Sequence, residues 1–163
     1  MTATQRPAIK TMANLEAAFA GESMAHIKYR YFAKLAREMG DEETAATFEA
    51  TADQEVMHAF GHLDLLYPKA TITPAKALQI AIDGETYEYS EMYPGFRKTA
   101  EEEGQAAAVA EIDEQIAESK EHAAQFQATL AKAQKRFAAL AKVEERHAKH
   151  YQAQLDKVTA QVA

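Results

Sequence analysis

Apolar residues recur every three or four positions along most of this chain, which is the spacing of one face of an α-helix. Gly and Pro interrupt the pattern at only a few places, and strong helix formers fill the stretches between them. The pattern predicts an all-α protein whose first helices run from about 8 to 39, from 42 to 67, and from Pro74 onward. Gly40 and Asp41 would stop the first helix and cap the second.

Helix boundaries in the C-terminal part are harder to predict, because no Gly or Pro follows Gly104. We predict at least one turn there, either near Gly104 or around 113–119, and a final helix over about 137–158.

An internal repeat lies in the same part. The segment that begins at His122 resembles the one that begins at His147, at an offset of 25 residues. This offset is almost seven helical turns. Either a duplication lengthened a helix without rotating its buried face, or the biased composition produced a coincidence.

Each of the four predicted helices places a carboxylate within its apolar stripe. On the first helix, Glu22 shares a face with Phe19 and His26. The other helices repeat this placement with Glu55, Glu85, Glu88 and Glu144. A buried, unpaired carboxylate costs several kcal/mol, and Lys and Arg are missing from these inner positions. Bound metal cations are the simplest way to neutralise such a core.

Two helices add a histidine one turn after the carboxylate, as Glu55-x-x-His58 and Glu144-x-x-His147. A Glu from two helices and Glu-x-x-His from two others form the ligand set of dinuclear carboxylate sites in four-helix bundles. Oxygen and nitrogen ligands of this kind suit iron or manganese.

The remaining histidines and two tyrosines are not predicted to bind metal directly. We interpret three histidines as core-edge or supporting residues: His26, His62 and His150. His122 follows Ser119 rather than a Glu, and we interpret it as a surface residue. Tyr29 and Tyr93 are either core aromatics or catalytic-site phenols that hydrogen bond to ligand carboxylates.

Composition and charge exclude several classes of partner and of metal site. The chain of 163 residues fits one domain, which we predict over 8–163 after a tail at 1–7. A formal charge of −7 disfavours nucleic acid and anionic membranes as partners. The absence of Cys excludes disulfides and thiolate metal sites. The sequence shows neither a secretion signal nor a membrane span, so we expect a cytoplasmic protein.

Four segments resemble the diiron domain of rubrerythrins, in the family's order. They are Phe-Ala-Gly-Glu22-Ser-Met-Ala, Ala-Asp-Gln-Glu55-Val-Met-His58, Gly-Glu85-Thr-Tyr-Glu88-Tyr-Ser-Glu-Met-Tyr93-Pro and Val-Glu144-Glu-Arg-His147. The resemblance covers about 8–104 and 137–158, and it leaves 105–136 as a helical insertion. It implies a ferritin-like four-helix bundle that holds two irons.

The resemblance also implies a role for each ligand. Four carboxylates would bind the irons, two of them as bridges: Glu22, Glu55, Glu85 and Glu144. His147 would bind one iron. His58 and Glu88 would serve the other iron, which moves between these two residues as its oxidation state changes.

The activity implied by the resemblance is a peroxidase that reduces hydrogen peroxide to water in oxidative-stress defence. Manganese or a mixed pair could replace the two irons. Because the chain has no cysteine-ligated rubredoxin domain, an external donor such as a rubredoxin or a flavoprotein reductase would supply electrons. A ferroxidase or iron-handling protein is the alternative, and a metal-free structural bundle is a third.

The length of the connection over 68–73 predicts how two chains associate. Six residues are too short to lead back along a bundle to a parallel third helix. We therefore expect a homodimer that exchanges its helix pairs, as a domain swap.

Overall fold

A computed structural model describes residues 10–162, and the predicted tail at 1–7 lies outside this range. The described part contains six helical segments and no strand, which confirms the all-α prediction. They are α1 (Thr11–Glu38), α2 (Glu42–Leu66), α3 (Pro74–Tyr87), a π-helical turn (Glu88–Met92), α4 (Tyr93–Glu102) and α5 (Ala106–Val162).

Helices α1 and α2 form a hairpin whose turn follows the predicted signals. Gly40 adopts a positive φ of 84°, which an L side chain rarely tolerates. The Asp41 carboxylate accepts a hydrogen bond of 3.0 Å from the Thr44 N–H, and this bond lowers the pKa of Asp41. The buried residues of the hairpin are small, so the two backbones can approach closely: Ala33, Ala36, Ala45, Ala52 and Ala59.

The helical arm formed by α3, the π-helical turn and α4 contains one widened turn. The Thr73 hydroxyl caps α3 by accepting a 3.2 Å hydrogen bond from the Lys76 N–H. Pro94 has no N–H, so an α-helical bond to residue 90 cannot form. The π-helical turn ends two residues before this proline and links α3 to α4. It begins at Glu88, one of the predicted ligands.

Helix α5 turns back at Gly104 and packs antiparallel to α3 and α4. Gly104 has a positive φ of 70°, and the turn lies at the first of the two predicted places. The second place, 113–119, is helical, and the predicted helix over 137–158 is part of the continuous α5. Arg97 Nε of α4 donates a hydrogen bond of 2.6 Å to Asp113 Oδ1 of α5, and this bond lowers the pKa of Asp113.

The register of this packing sets how much of α5 has a partner in α3. Glu85 faces His122 across the two helices. Pro74 begins α3 eleven residues before Glu85, so it lies opposite Ala133, eleven residues after His122. Beyond that point α5 continues past the start of α3. Its large apolar side chains there are exposed: Phe137, Leu140, Tyr151, Leu155 and Val158.

Contacts divide the described chain into two compact units. The first contains α1 and α2 and ends at Ile72, and the second begins at Thr73 and contains α3 to α5. None of the helices within 10–162 combines the length and apolar character that a membrane span requires.

Candidate metal centre

The α1–α2 hairpin brings together three of the predicted ligands. Glu22, Glu55 and His58 each offer a ligand atom, and these atoms lie within 4.8 Å of one another. His58 Nδ1 is 2.8 Å from Glu55 Oε2 and 3.9 Å from Glu22 Oε2. The glutamates are shielded, at 31% and 16% side-chain exposure, while His58 remains 58% exposed. The group therefore has the composition and spacing of metal ligands.

The surroundings of this group hold the two helices in place. His26 Nδ1 hydrogen bonds to the Ala52 carbonyl at 2.8 Å and so joins α1 to α2. This contact agrees with the interpretation of His26 as a supporting residue. An apolar groove of about 390 Å³ lies along the same hairpin. Its lining includes neighbours of the ligands in sequence, namely Ser23, Val56 and Ala59.

The α3–α5 unit brings two further predicted ligands to one place. Glu85 and Glu88 lie three residues apart, where α3 meets the π-helical turn. Glu85 Oε1 is 3.5 Å from His122 Nδ1. Glu88 Oε2 accepts a hydrogen bond of 3.1 Å from Ser119 Oγ, and Ser119 is only 4% exposed. This unit therefore presents two carboxylates and one imidazole on facing helices.

Glu144 and His147 lie elsewhere on α5. Their side chains approach each other at 3.7 Å and are 66% and 57% exposed. They follow Ser119 and His122 by 25 residues on an unbroken helix, a separation of about 37 Å. The structure therefore does not bring them together with Glu85 or Glu88 of the same unit.

Two tyrosines were candidates for a supporting role. Partial burial raises the pKa of Tyr93, and the negative charges of Glu88 and Glu85 raise it further. Its phenol therefore stays protonated at neutral pH and can donate a hydrogen bond. The Tyr29 ring packs against Phe48 with centroids 5.7 Å apart, which fits a core aromatic.

His122 is the residue that the sequence interpretation left out of the site. Its side chain is half exposed, as a surface residue would be, yet it faces the Glu85 carboxylate. The turn at Gly104 contained the necessary signal. Glu85 lies 19 residues before Gly104 and His122 lies 18 after it, so a tight antiparallel turn brings them level.

The donor chemistry of both units fits iron or manganese. The α1–α2 group offers carboxylate oxygens and an imidazole nitrogen within 4.8 Å, and the α3–α5 group offers the same donor types. Divalent first-row metals that change oxidation state bind well to such mixed oxygen and nitrogen ligands. The donor types present in each unit thus fit a redox-active metal ion.

Comparisons with known proteins identify relatives of this chain. The chain is 41% identical over 122 residues to nigerythrin of Nitratidesulfovibrio vulgaris, covering 67% of this chain and 60% of that protein. It is 38% identical over 134 residues to a rubrerythrin of Porphyromonas gingivalis, covering 75% and 66%. This chain thus spans less than two thirds of the length of both relatives.

A solved structure of nigerythrin, described as fully reduced and all ferrous, is 36% identical to this chain. The alignment covers 82% of this chain and 73% of that one, with a TM-score of 0.39.

The family model described as rubrerythrin matches residues 13–130. This range includes most of 105–136, the segment predicted as an insertion, and it ends before Glu144 and His147. Because the match covers well over half of the chain, the protein belongs to the rubrerythrin family, and the ferritin-like fold class predicted from its sequence is confirmed.

Proposed function

We propose that this protein is a non-haem diiron peroxidase that reduces hydrogen peroxide to water. The observation that carries the proposal is the group of Glu22, Glu55 and His58, whose ligand atoms lie within 4.8 Å. Membership of a diiron family supports iron as the metal, and manganese fits the same donors.

The proposed ligand set combines both units. Glu22, Glu55 and His58 come from the first, and Glu85 and Glu88 come from the second. The sequence resemblance adds Glu144 and His147 as the ligands of the last helix. In the structure these two lie about 37 Å along α5 from the residues that face Glu85 and Glu88, so they could join the site only through another arrangement or another chain.

Reduction of one peroxide to two waters consumes two electrons and two protons. A ferrous pair would supply both electrons to the O–O bond, so that no free hydroxyl radical is released. The carboxylates of Glu22, Glu55 and Glu85 would balance the positive charge that the oxidised metals gain. Partial burial and the negative charges of Glu88 and Glu85 raise the pKa of Tyr93, so its phenol would stay protonated and could serve as a hydrogen-bond donor in the site.

An external donor would return the electrons. The chain has no Cys, so it holds no cysteine-ligated iron of its own. A rubredoxin or a flavoprotein reductase is the class of donor that we propose.

We also propose that two chains exchange their helix pairs. Leu66 ends α2 eight residues after His58, and Glu85 follows the start of α3 at Pro74 by eleven. A parallel α3 that aligned these ligands would have to start about 29 Å back along α2. The eight Cα–Cα steps from Leu66 to Pro74 span at most about 29 Å when fully extended. The connection is not fully extended, because the Thr71 N–H donates to the Pro68 carbonyl at 2.8 Å in a turn. Exchange between two chains removes this constraint, and it makes the homodimer the unit that holds the sites.

The experiment that tests the activity is rapid mixing of the anaerobic, iron-loaded, reduced protein with peroxide or with dioxygen. A peroxidase oxidises both irons much faster with peroxide and consumes one peroxide per iron pair. Faster oxidation by dioxygen, with uptake of more than two irons per site, would replace the proposal with a ferroxidase or iron-handling role. Failure to bind iron or manganese would leave a structural bundle.

A further inference from the structure

We infer that the C-terminal part of α5 is a pairing surface for a second copy of this chain, in which the two α5 helices run antiparallel. The surface is one stripe of side chains over 137–158, and its partner is the same stripe of another chain. The inference does not depend on the proposed diiron function, because it concerns the part of α5 that extends past the start of α3.

The stripe continues the face of α5 that packs against α3. His122 faces Glu85 across these two helices. After a further 25 residues, almost seven turns, the same face of α5 carries His147. The large apolar members of this face are each 54% to 70% exposed, and they are Phe137, Leu140, Tyr151, Leu155 and Val158. A face that packs against a helix in the first copy of the repeat is thus presented to solvent in the second.

The opposite side of this part of α5 is polar and makes its own contacts. Lys149 donates a hydrogen bond to Glu145 at 2.6 Å, and Gln152 donates one to Asp156 at 2.9 Å. Each pair lies one turn apart on the helix surface. The helix is therefore amphipathic, and most of the stability of such a helix comes from packing its apolar side against another element.

The stripe has nearly the same order of residues from either end. Two large apolar residues come first, then a Glu and a His, then two large apolar residues. In this order they are Phe137, Leu140, Glu144, His147, Tyr151 and Leu155. The pairs 137 with 155, 140 with 151, and 144 with 147 share a midpoint at 145–146. The stripe therefore matches itself when two antiparallel copies cross at this point, as a two-fold interface between identical chains requires.

The charged centre of the stripe favours the antiparallel orientation. Glu144 and His147 approach each other at 3.7 Å within one helix. Antiparallel copies would place each Glu144 level with the partner's His147, so that the carboxylate gains an imidazole N–H donor. Parallel copies would instead place it against the partner's Glu144, which has the same charge. Polar residues within an apolar seam fix the register and orientation of paired helices in this way.

The exposed side chains offer enough area for a specific interface. Phe137 and Tyr151 are each 70% exposed. Aromatic side chains bury about 150 Å² or more each, so the four in a pair of chains would supply about 600 Å². A specific interface needs roughly 1,000 Å² in total. Leu140 and Leu155, which are 54% and 60% exposed, add to this area from both chains.

The test is cysteine cross-linking of the full-length protein, which has no background because the natural chain contains no Cys. The variants are Leu140→Cys, Tyr151→Cys and the double variant with both changes. Positions 140 and 151 of one chain are about 16 Å apart along the rigid helix. This is too far for a disulfide within one chain, since the two Cβ atoms must come within about 4.5 Å.

The matched control is the double variant Ala139→Cys with Gln152→Cys. These positions have the same midpoint as 140 and 151, are exposed, and lie outside the stripe. Covalent dimers are measured by denaturing electrophoresis without reductant after mild oxidation, and helicity by circular dichroism confirms folding.

We expect the Leu140→Cys and Tyr151→Cys double variant to form covalent dimers at least about ten times faster than the control. An equal mixture of the two single variants should also cross-link, whereas each single variant alone should not. Addition of Leu155→Arg to the double variant should slow cross-linking several-fold, because position 155 faces the partner's Phe137. Addition of Ala153→Arg, outside the stripe, should leave the rate unchanged.

Two results would overturn the inference. Cross-linking of the double variant no faster than that of the control would show that the stripes do not meet. Efficient cross-linking of each single variant with itself would show a parallel arrangement. Neither result would bear on peroxide reduction, because the stripe lies apart from the metal-binding groups of both compact units.

Discussion

Replacement of Glu22 by Gln should change the stability of the metal-free and the metal-bound protein in opposite directions. Glu22 and Glu55 belong to a group whose ligand atoms lie within 4.8 Å, and both are shielded from water. Without metal, two carboxylates at this distance repel each other by about 1 kcal/mol in a water-like medium and about 3 kcal/mol at an effective dielectric of 20. Glutamine removes this repulsion while it retains the shape of the side chain.

We therefore expect metal-free Glu22→Gln to be more stable than the wild type by about 1 kcal/mol. For a chain of this size, that raises the midpoint of thermal unfolding by about 2 to 4 °C. With iron bound, the order should reverse. A ligand at 100 times its Kd adds about 2.7 kcal/mol to the stability of the wild type, and the variant loses most of this gain.

The assay is thermal unfolding followed by circular dichroism, with chelator or with anaerobic ferrous iron. Glu16→Gln is the matched control, because Glu16 is exposed on the same helix and its loss makes the same change in net charge. It should leave both midpoints near those of the wild type. A metal-free Glu22→Gln protein that is less stable than the wild type would show that the two carboxylates do not repel each other in the folded state, and the reasoning would be refuted.

Three further results are expected. Glu88→Ala should retain nearly all of its iron yet consume peroxide more slowly, if Glu88 binds only one oxidation state; wild-type rates would contradict this role. Heterodimers refolded from Glu55→Ala and Glu85→Ala chains should regain one intact site through exchange of helix pairs, whereas no recovery in proven heterodimers would reject the exchange. Arg97 lowers the pKa of Asp113 in the folded state, so this pair stabilises the fold above the usual Asp pKa of about 4 and is lost as the pH falls further. Asp113→Asn should therefore flatten the decline of the unfolding midpoint in acid, and an unchanged decline would argue against a role for the pair.

Local sequence signals predicted the turn between the first two helices and the start of the third. Gly40, Asp41 and Thr73 act through their own backbone and side-chain geometry, so no distant contact is needed to interpret them. The same holds for Glu55 and His58, since helical spacing alone places them on one face. The widened turn after Tyr87 is different, because apolar spacing continues through it and only Pro94 hints at a change in the helix.

The choice between the two halves of the repeat required tertiary information. His122 and His147 have the same helical phase, and the local motif favours the second. What separates them is how far each lies from the turn at Gly104, measured against Glu85 on the other arm. A ligand motif identifies the chemistry of a site, but the length of the hairpin decides which copy can reach it.

The alanines between α1 and α2 would set the spacing of the proposed metal site, although they are not among its ligands. Ala52 and Ala59 are buried three residues before and four residues after Glu55, and the Ala52 carbonyl also binds His26. Their methyl groups fix the gap between the helices, and that gap fixes how far Glu22 stands from Glu55. A larger side chain at either alanine would widen the cage around an ion while every ligand stayed the same. In the proposed site, the preferred ionic radius would therefore depend partly on residues that carry no donor atom in their side chains.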